Sequence, residues 1–399
     1  MDRPLEGYRI IDLGQIYNGP YCSLLLALLG AEVIKVEPLR GEIVRHRDPV
    51  SLMPYPFLML NSSKKSVTLN LKHPQGKAIF RQLVEKGDVV LENYAVGVMD
   101  RLGFGYDALK AINPGIVYAC SSGYGRGGPY SHYSAMDITV QAVSGVMAIT
   151  GYPDMPPVKA GPAISDFTSG IHLYAALVTA LLRRERTGKG CMVEVSMHDA
   201  IYPSLTSNLG SYYQKGHVVP RTANRHGGLA IAPYNVYPTS DGWMAIFCAS
   251  EAHWPLLCNL MGREDLIADE RFANTVGRSQ YMEEIDGIVG AWSQQFTRNE
   301  LTDKLTAAGV PCGPVLTLDE VADDPHLKQR QMIIDLDHPV KGPIKVIGCP
   351  LKFYNEDGAL QVEVLPAPGI GQHNDDVYTH LLDYSPADLE RFRAEGVIS

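Results

Sequence analysis

The sequence predicts a two-domain α/β protein built on an open parallel sheet. Three observations carry this. Short β-branched runs alternate with helical periodicity through the first half of the chain. The opening unit reads strand, helix, strand, an order that requires a right-handed crossover between parallel strands. Near residue 222 the composition changes, and a segment with its own strands and helices begins. A chain of 399 residues is long enough to bury a core in each of two domains.

Taken in order, Tyr8–Leu13 is a strand, and Asn18, Gly19 and Pro20 open a helix with Asn18 as its cap. Leu24–Leu29 carries that helix, Gly30 ends it, and Ala31–Glu37 is a buried-type strand. No G-x-G-x-x-G separates the strand from the helix, so a dinucleotide site is not expected there. Ser66–Leu71, Asp88–Leu91, Ile116–Ser121 and Met192–Ser196 continue the strands, with a helix from His73 to about Lys86 between the first two. G-Y-G-R-G-G at Gly123–Gly128 satisfies the glycine pattern formally, but Pro129 follows where a helix should begin, so a mobile loop is expected. Helices are expected over Asp137–Ala148 and Asp199–Tyr213. Beyond them, Tyr234–Tyr237 and Trp243–Cys248 form a hairpin, followed by helices near His253–Met261, Tyr281–Trp292 and Arg298–Ala308. The chain closes with a helix over Asp375–Leu382 and a short one capped by Ser385 with Pro386 next. The expected divisions are 1–200 for the larger domain, 201–221 as linker, 222–330 for the smaller domain, and 331–399 returning to the larger one.

With 35 Lys and Arg against 44 Asp and Glu, the net charge of −9 argues against a nucleic-acid partner. No apolar run is long enough for a bilayer, and the start lacks a secretory pattern, so a cytoplasmic protein without a membrane partner is expected. Seven scattered cysteines without a C-x-x-C pair read as reduced thiols, and no zinc spacing appears among the 12 histidines, so no metal is expected. Within this acidic chain Lys35, Arg40, Arg45, Arg47, Lys64, Lys65 and Lys72 gather. They read either as a solvated face or as a site for a phosphate-bearing ligand.

The stretch Pro157–Gly190 is the most informative. Leu173, Tyr174, Leu177, Val178, Leu181 and Leu182 recur with helical spacing, Arg183, Arg184 and Arg186 crowd the last turn, and Gly188 supplies a stop. Asp166 stands where an N-cap is expected. Gly170, one turn inside, costs stability unless something needs close approach. A carboxylate at a helix N-terminus stays ionised, which suits a nucleophile as well as a cap.

The residues resemble the class III CoA-transferase family, the CaiB/BaiF-type group. The likeness runs through G-A-E-V-I-K-V-E-P at Gly30–Pro38, N-S-S-K-K-S-V-T-L-N-L-K at Asn61–Lys72, E-N-Y at Glu92–Tyr94 and M-D-R-L-G-F at Met99–Phe104. It continues through the Asp166 stretch, R-R-E-R-T-G-K-G at Arg183–Gly190, G-V-P-C-G-P-V at Gly309–Val315 and P-A-P-G-I-G-Q-H at Pro366–His373. The resemblance implies an open, Rossmann-like parallel sheet in a large domain built from both chain ends. It also implies an inserted smaller α+β domain and an interlocked homodimer.

The activity it implies is transfer of coenzyme A from an acyl-CoA to a free small or dicarboxylic acid through an aspartyl-CoA intermediate on Asp166. No prosthetic group is implied; CoA and acyl-CoA are substrates. Gly227 and Gly228 match the family's catalytic glycine loop, with His226 beside them on the substrate side. For CoA the matching positions are Ile16, Tyr17, Asn18, Leu69, Lys72, Asn93, Tyr94, Arg101 and Leu102; a basic residue of the family falls on Pro38 here, with Arg40 as its expected substitute. Lys72 and Arg101 suit phosphates, and Tyr94 suits adenine stacking. By residue type alone, Asn93 reads rather as a turn former, Lys72 as a surface lysine and Tyr94 as a buried aromatic.

Tyr17 stands where formyl-CoA-type members carry Gln, and Ser134, Met136 and Asp137 replace residues of the oxalate users. A changed substrate pocket involving Tyr17, Asp137 and His226 is therefore expected. Two competing readings remain. The racemase branch needs a histidine before the Asp of its G-H-D-I-N-Y run, and this chain has A-M-D-I-T-V, with His132 the nearest substitute. A catalytically idle CoA-binding protein is the third.

Overall fold

The computed structural model describes residues 3–356 and 358–399. The chain divides into two compact units, one made of 1–140, 162–202 and 323–399, the other of 141–161 and 203–322. The second unit therefore includes a segment, 141–161, that sequence reading left with the first. Gly145, at φ +91°, separates the helices Asp137–Val143 and Val146–Ile149, where one continuous helix was expected.

The larger unit holds six parallel strands: β1 (Arg9–Asp12), β2 (Glu32–Glu37), β3 (Lys65–Thr68), β4 (Val89–Glu92), β5 (Val117–Ser122) and β6 (Cys191–Ser196). Their spatial order is β3-β2-β1-β4-β5-β6. Successive residues of β1 face opposite sides, as the two-residue period of a strand requires. Ile10, Val33, Val89 and Val117 enter one apolar core, whereas Ile11, Ile34, Val90 and Tyr118 enter another. The first core is covered by helices α1 (Asn18–Leu28) and, after α2 (Asp137–Val143), α3 (Ile164–Thr187). The second is covered by the helix Pro74–Lys86 and the C-terminal segment. That segment also ties down the edge strand β3. Asn374 accepts from the Thr68 amide at 2.8 Å, and the Ser399 amide donates to the Thr68 hydroxyl at 3.0 Å. The final helix Pro386–Ala394 starts with the expected Ser385 cap, completed into a capping box by Asp388.

On α3, Leu173, Leu177 and Leu181 are buried as the spacing predicts, and Gly188 in the left-handed region ends the helix. Leu182, expected on the same face, is exposed. Gly170 has a clear purpose: a Cβ there would lie 2.9 Å from the Asn18 carbonyl oxygen. The close approach anticipated for this glycine is that of the α1 backbone.

The smaller unit is built on the antiparallel order β7 (Tyr234–Thr239), β8 (Gly242–Phe247) and β9 (Cys312–Pro314). The hairpin was expected; β9, three residues ending in proline, carries too little pattern to read. Trp254, Leu257, Phe272, Ile285, Val289, Leu301 and Leu305 from the surrounding helices fill its core. No helix among the described residues is long and apolar enough to cross a membrane. Among them no group of three or more His, Cys, Asp or Glu is placed to hold a metal ion.

Candidate active site

The strand order reverses direction between β2 and β4, on either side of β1, so the loops leaving β1 and β4 part from each other. In open α/β sheets ligands bind at such a point, beyond the carboxyl ends of the strands. Here it holds a cleft of about 290 Å³. Ile16 and Asn18 line it after β1, Asn93 and Tyr94 after β4, and Ser121–Tyr124 at the end of β5 and just beyond. Asp137 and Asp166 complete it, with Ser131–Met136 forming a further wall.

Asp166 lies in the first turn of α3, but it is not the cap. Ala163 holds that position without a side-chain bond, and the cap comes from elsewhere in the chain. The Asp137 carboxylate accepts from the Ser165 amide at 2.8 Å and from the Asp166 amide at 3.4 Å. This frees the Asp166 carboxylate for the cleft. The expectation that it stays ionised also changes. Burial, and then the charge of Asp137, push its pKa up to about 7, outweighing the helix N-terminus. Asp166 is poised between its two protonation states near neutrality.

The loop after β1 is held in a conformation its residues do not favour. Ile16 has φ +66°, an unusual state for a β-branched residue. Its amide donates to Glu42 at 2.9 Å, while Asn93 grips Gln15 through two bonds, 2.7 Å from the Gln15 amide and 2.9 Å to its carbonyl. Asn93 thus does act as a turn clamp, and it borders the cleft as well. Asn18, expected to cap α1, lies within the first turn, and Tyr17 precedes it. Its side-chain amide donates to the Ser169 hydroxyl and, at 3.4 Å, to the Asp166 carbonyl, tying α1 to α3. Its buried Oδ1 has no hydrogen-bond partner.

Beneath this loop is a set of charges that sequence reading assigned otherwise. Lys35, Arg45 and Lys64 belong to neither a solvated face nor a phosphate site; all three are buried. Lys35 lies 3.2 Å from Glu42 and donates to the Gly14 carbonyl at 2.6 Å. Arg45 grips Glu37 through two bonds of 2.7 Å, and Lys64 donates to Ser23 at 2.8 Å beside Asp12 at 3.4 Å. Three acids balance three bases. The signal was present in E-V-I-K-V-E, because charged residues within a buried parallel strand need partners. Of the remaining basic residues, Lys65 pairs with Glu32 and Asp376, and Arg47 donates to the Tyr17 hydroxyl at 2.7 Å. Arg40 and Lys72 are exposed and form no ion pair among the described residues.

The other expected residues are spread more widely. Tyr94 lines the cleft, and burial raises its hydroxyl pKa to about 12. Leu69 puts its side chain into the second core, and its amide donates to the Glu37 carbonyl. Arg101 is exposed and Leu102 half-buried on the short helix Val98–Leu102, outside the cleft wall. The loop at Gly123 is tied rather than loose. A Cβ there would meet Ala135, and the Arg126 amide donates to Glu194. In the smaller unit, Gly227 packs where a Cβ would lie 2.8 Å from the Asn208 side chain, and His226 accepts from the Gly228 amide at 3.2 Å. Sequence reading missed Glu92. It is buried, bonded by the Tyr118 hydroxyl at 2.7 Å and the Tyr94 amide at 2.6 Å, and burial raises its pKa to about 7.

Residues 5–374 match the family described as CoA-transferase family III. The chain belongs to CoA-transferase family III. Relatives of this family III enzyme include a succinyl-CoA–D-citramalate CoA-transferase of Chloroflexus aurantiacus, 35% identical over 99% of this chain and 98% of that one. A formyl-CoA:oxalate CoA-transferase of Streptomyces coelicolor is 34% identical over 99% of each chain. The crystal structure of a CaiB/BaiF family protein from Brucella suis superposes with a TM-score of 0.82 at 32% identity, over 96% of this chain and 100% of that one. The enzyme is thus a CoA-transferase of family III, and the cleft at the switch point is its candidate site.

Proposed function

We propose that this family III transferase carries CoA from an acyl-CoA to a free carboxylic acid with Asp166 as the nucleophile. The observation that carries the reading is a titratable carboxylate, freed from capping duty, in a cleft at the sheet's switch point. An Asp166 oxygen attacks the thioester carbonyl, and CoA thiolate leaves, giving a mixed anhydride. The thiolate then attacks the aspartyl carbonyl and releases the first acid. The incoming carboxylate attacks the resulting aspartyl thioester, expels CoA, and forms a second anhydride. Thiolate returns to the new acyl carbon, and the Asp166 carboxylate is regenerated. No electron or net proton is exchanged. The sequence splits one difficult displacement into easier ones.

The first turn of α1 leaves the Asn18 and Gly19 amides without an i−4 partner, and these suit the developing oxyanion. Gly227 and Gly228 serve in this reading as the loop that keeps water from the anhydrides. Lys72, Arg101 and Arg40 serve the CoA phosphates. Tyr94 shares the cleft with Asp166, so it borders the thioester arm of CoA rather than the adenine. The reading extends to an inserted smaller domain and an interlocked homodimer in the cytoplasm. Exposed Ile171 and Leu182 on α3 support a further contact surface.

Mass spectrometry after incubation with a panel of acyl-CoA thioesters tests the reading. A CoA adduct mapping to Asp166, and discharged by added carboxylate, is the expected result. His132 lines the same cleft and gives racemisation its one supporting observation. Solvent deuterium entering C2 of a branched acyl-CoA, without any adduct, replaces transfer by racemisation.

A further inference from the structure

The cleft that holds Asp166 has a wall whose composition no motif explains. Tyr124 is the centre of an aromatic cluster. Tyr130 lies 5.8 Å away edge-on, Tyr133 6.0 Å and His198 5.9 Å, and Tyr130 stacks on Tyr133 at 5.2 Å. Tyr124, Tyr133 and Met136 line the cleft. Tyr133 and Met136 are each about half exposed, at 50% and 51%, large apolar surface left beside a binding site. Ala135 packs over Gly123, where a Cβ would lie 2.0 Å from the alanine methyl, so the wall is anchored to the end of β5.

Charge is as informative. Among the described residues the cleft is lined by two carboxylates, Asp137 and Asp166, and by no lysine or arginine. A second carboxylate, away from the reacting carbon, would lose its water shell and face Asp137 without a cation to pair with, and on the donor's acyl group it would face the Asp166 carboxylate as well. An aromatic or thioether surface rewards the opposite kind of group, flat and uncharged. The volume of about 290 Å³ lies at the lower end of small-molecule sites, so the space suits one acyl group.

Resting on the transfer reading above, we propose that both acids exchanged by this enzyme are monocarboxylic, with an uncharged aryl or similarly flat apolar tail seated on Tyr124, Tyr133 and Met136. Both acids meet this wall because both half-reactions pass through the same aspartyl thioester. Each arriving carboxylate oxygen bonds to the Asp166 carbonyl carbon as thiolate leaves, and the thiolate then returns to the acid's own carbonyl carbon.

Self-exchange tests this whatever the natural donor is. The full-length enzyme is incubated with the CoA ester of one acid and the same acid labelled with ¹³C, and label entering the thioester is followed. The pairs are 3-phenylpropionate and benzoate against succinate and oxalate. The expected result is exchange of an aryl acid at least about tenfold faster in kcat/KM than either dicarboxylate, the scale on which one pocket contact discriminates. Met136→Lys, which adds a cation to the wall, is expected to bring the ratio toward unity by accelerating succinate. Dicarboxylate exchange equal to or faster than aryl exchange in the unaltered enzyme overturns the specificity while leaving transfer intact. Absence of exchange with every pair overturns the transfer reading and this inference together.

Discussion

Two groups of carboxylates in the chain's first half behave in opposite ways. Glu37 is buried, and burial alone would raise its pKa. The Arg45 guanidinium, with Lys35 and the Ser66 hydroxyl, outweighs burial and holds it below the ordinary value. Asp166 is less buried, but its charged neighbour is Asp137, another acid, and its pKa rises to about 7. The same functional group is locked as a permanent anion in one place and left undecided in the other. What separates them is whether a cation was built beside them. The first group holds the loop that shapes the cleft, and the second contains the proposed nucleophile.

Removing Asp166 sharpens this contrast most. Asp166→Asn is expected to lower transfer by about a thousandfold or more, measured as acyl exchange, since the proposed nucleophile itself is lost. The same change should not harm the fold. A carboxylate whose folded pKa lies above its unfolded value costs stability as pH rises from about 4 through 7. The asparagine variant avoids this, so at pH 8 its thermal midpoint should equal the parent's or exceed it by on the order of 2 °C. A lower midpoint would count against the raised pKa.

Breaking the paired group should do the reverse. Arg45→Met leaves Glu37 buried and unpaired, with an expected loss of about 3–5 kcal/mol in urea unfolding. Adding Glu37→Gln should recover much of it, and failure to recover would mean the pair's neutrality is not what matters.

A smaller effect tests the acidic neighbours. Exchange by the parent enzyme should rise with pH around an apparent pKa of about 7. Asp137→Asn keeps an acceptor oxygen for the Ser165 amide but removes the charge, so the midpoint should move to lower pH. An unmoved profile would assign the titration elsewhere, with Glu92 the first alternative. Smallest of all, Lys72→Ala and Arg40→Ala should raise the KM for acyl-CoA roughly three- to tenfold with kcat unchanged. That effect should fade at high salt, because both side chains are exposed.

Much of this was legible in the chain. Alternation of strand and helix pointed to the parallel sheet because each such segment carries its own period, from Ile10 and Ile11 dividing between two cores to Leu173, Leu177 and Leu181 on one face of α3. The Asp166 stretch and the motifs around it marked the site. What could not be read were relations between distant residues. Asp166 looked like a cap because nothing local shows that Asp137 performs that task. Lys35, Arg45 and Lys64 looked like surface charge because their partners Glu42, Glu37 and Asp12 become neighbours only in the folded sheet. Tyr124, Tyr130 and Tyr133 gave no signal at all, since clustering in a loop follows no period.

The distant cap has a bearing on the order in which the molecule is assembled. Most of α3 can form from its own sequence, but the amides of its first turn find their side-chain acceptor only when Asp137, 29 residues before Asp166, is in place. Asp137 is itself delivered by the wall whose Ala135 must settle over Gly123. The cap of the turn that carries the proposed nucleophile therefore depends on the same segment that carries the proposed acid-facing surface. On the proposed mechanism, an incompletely folded chain is expected to present no capped, reactive aspartate to the thioesters around it.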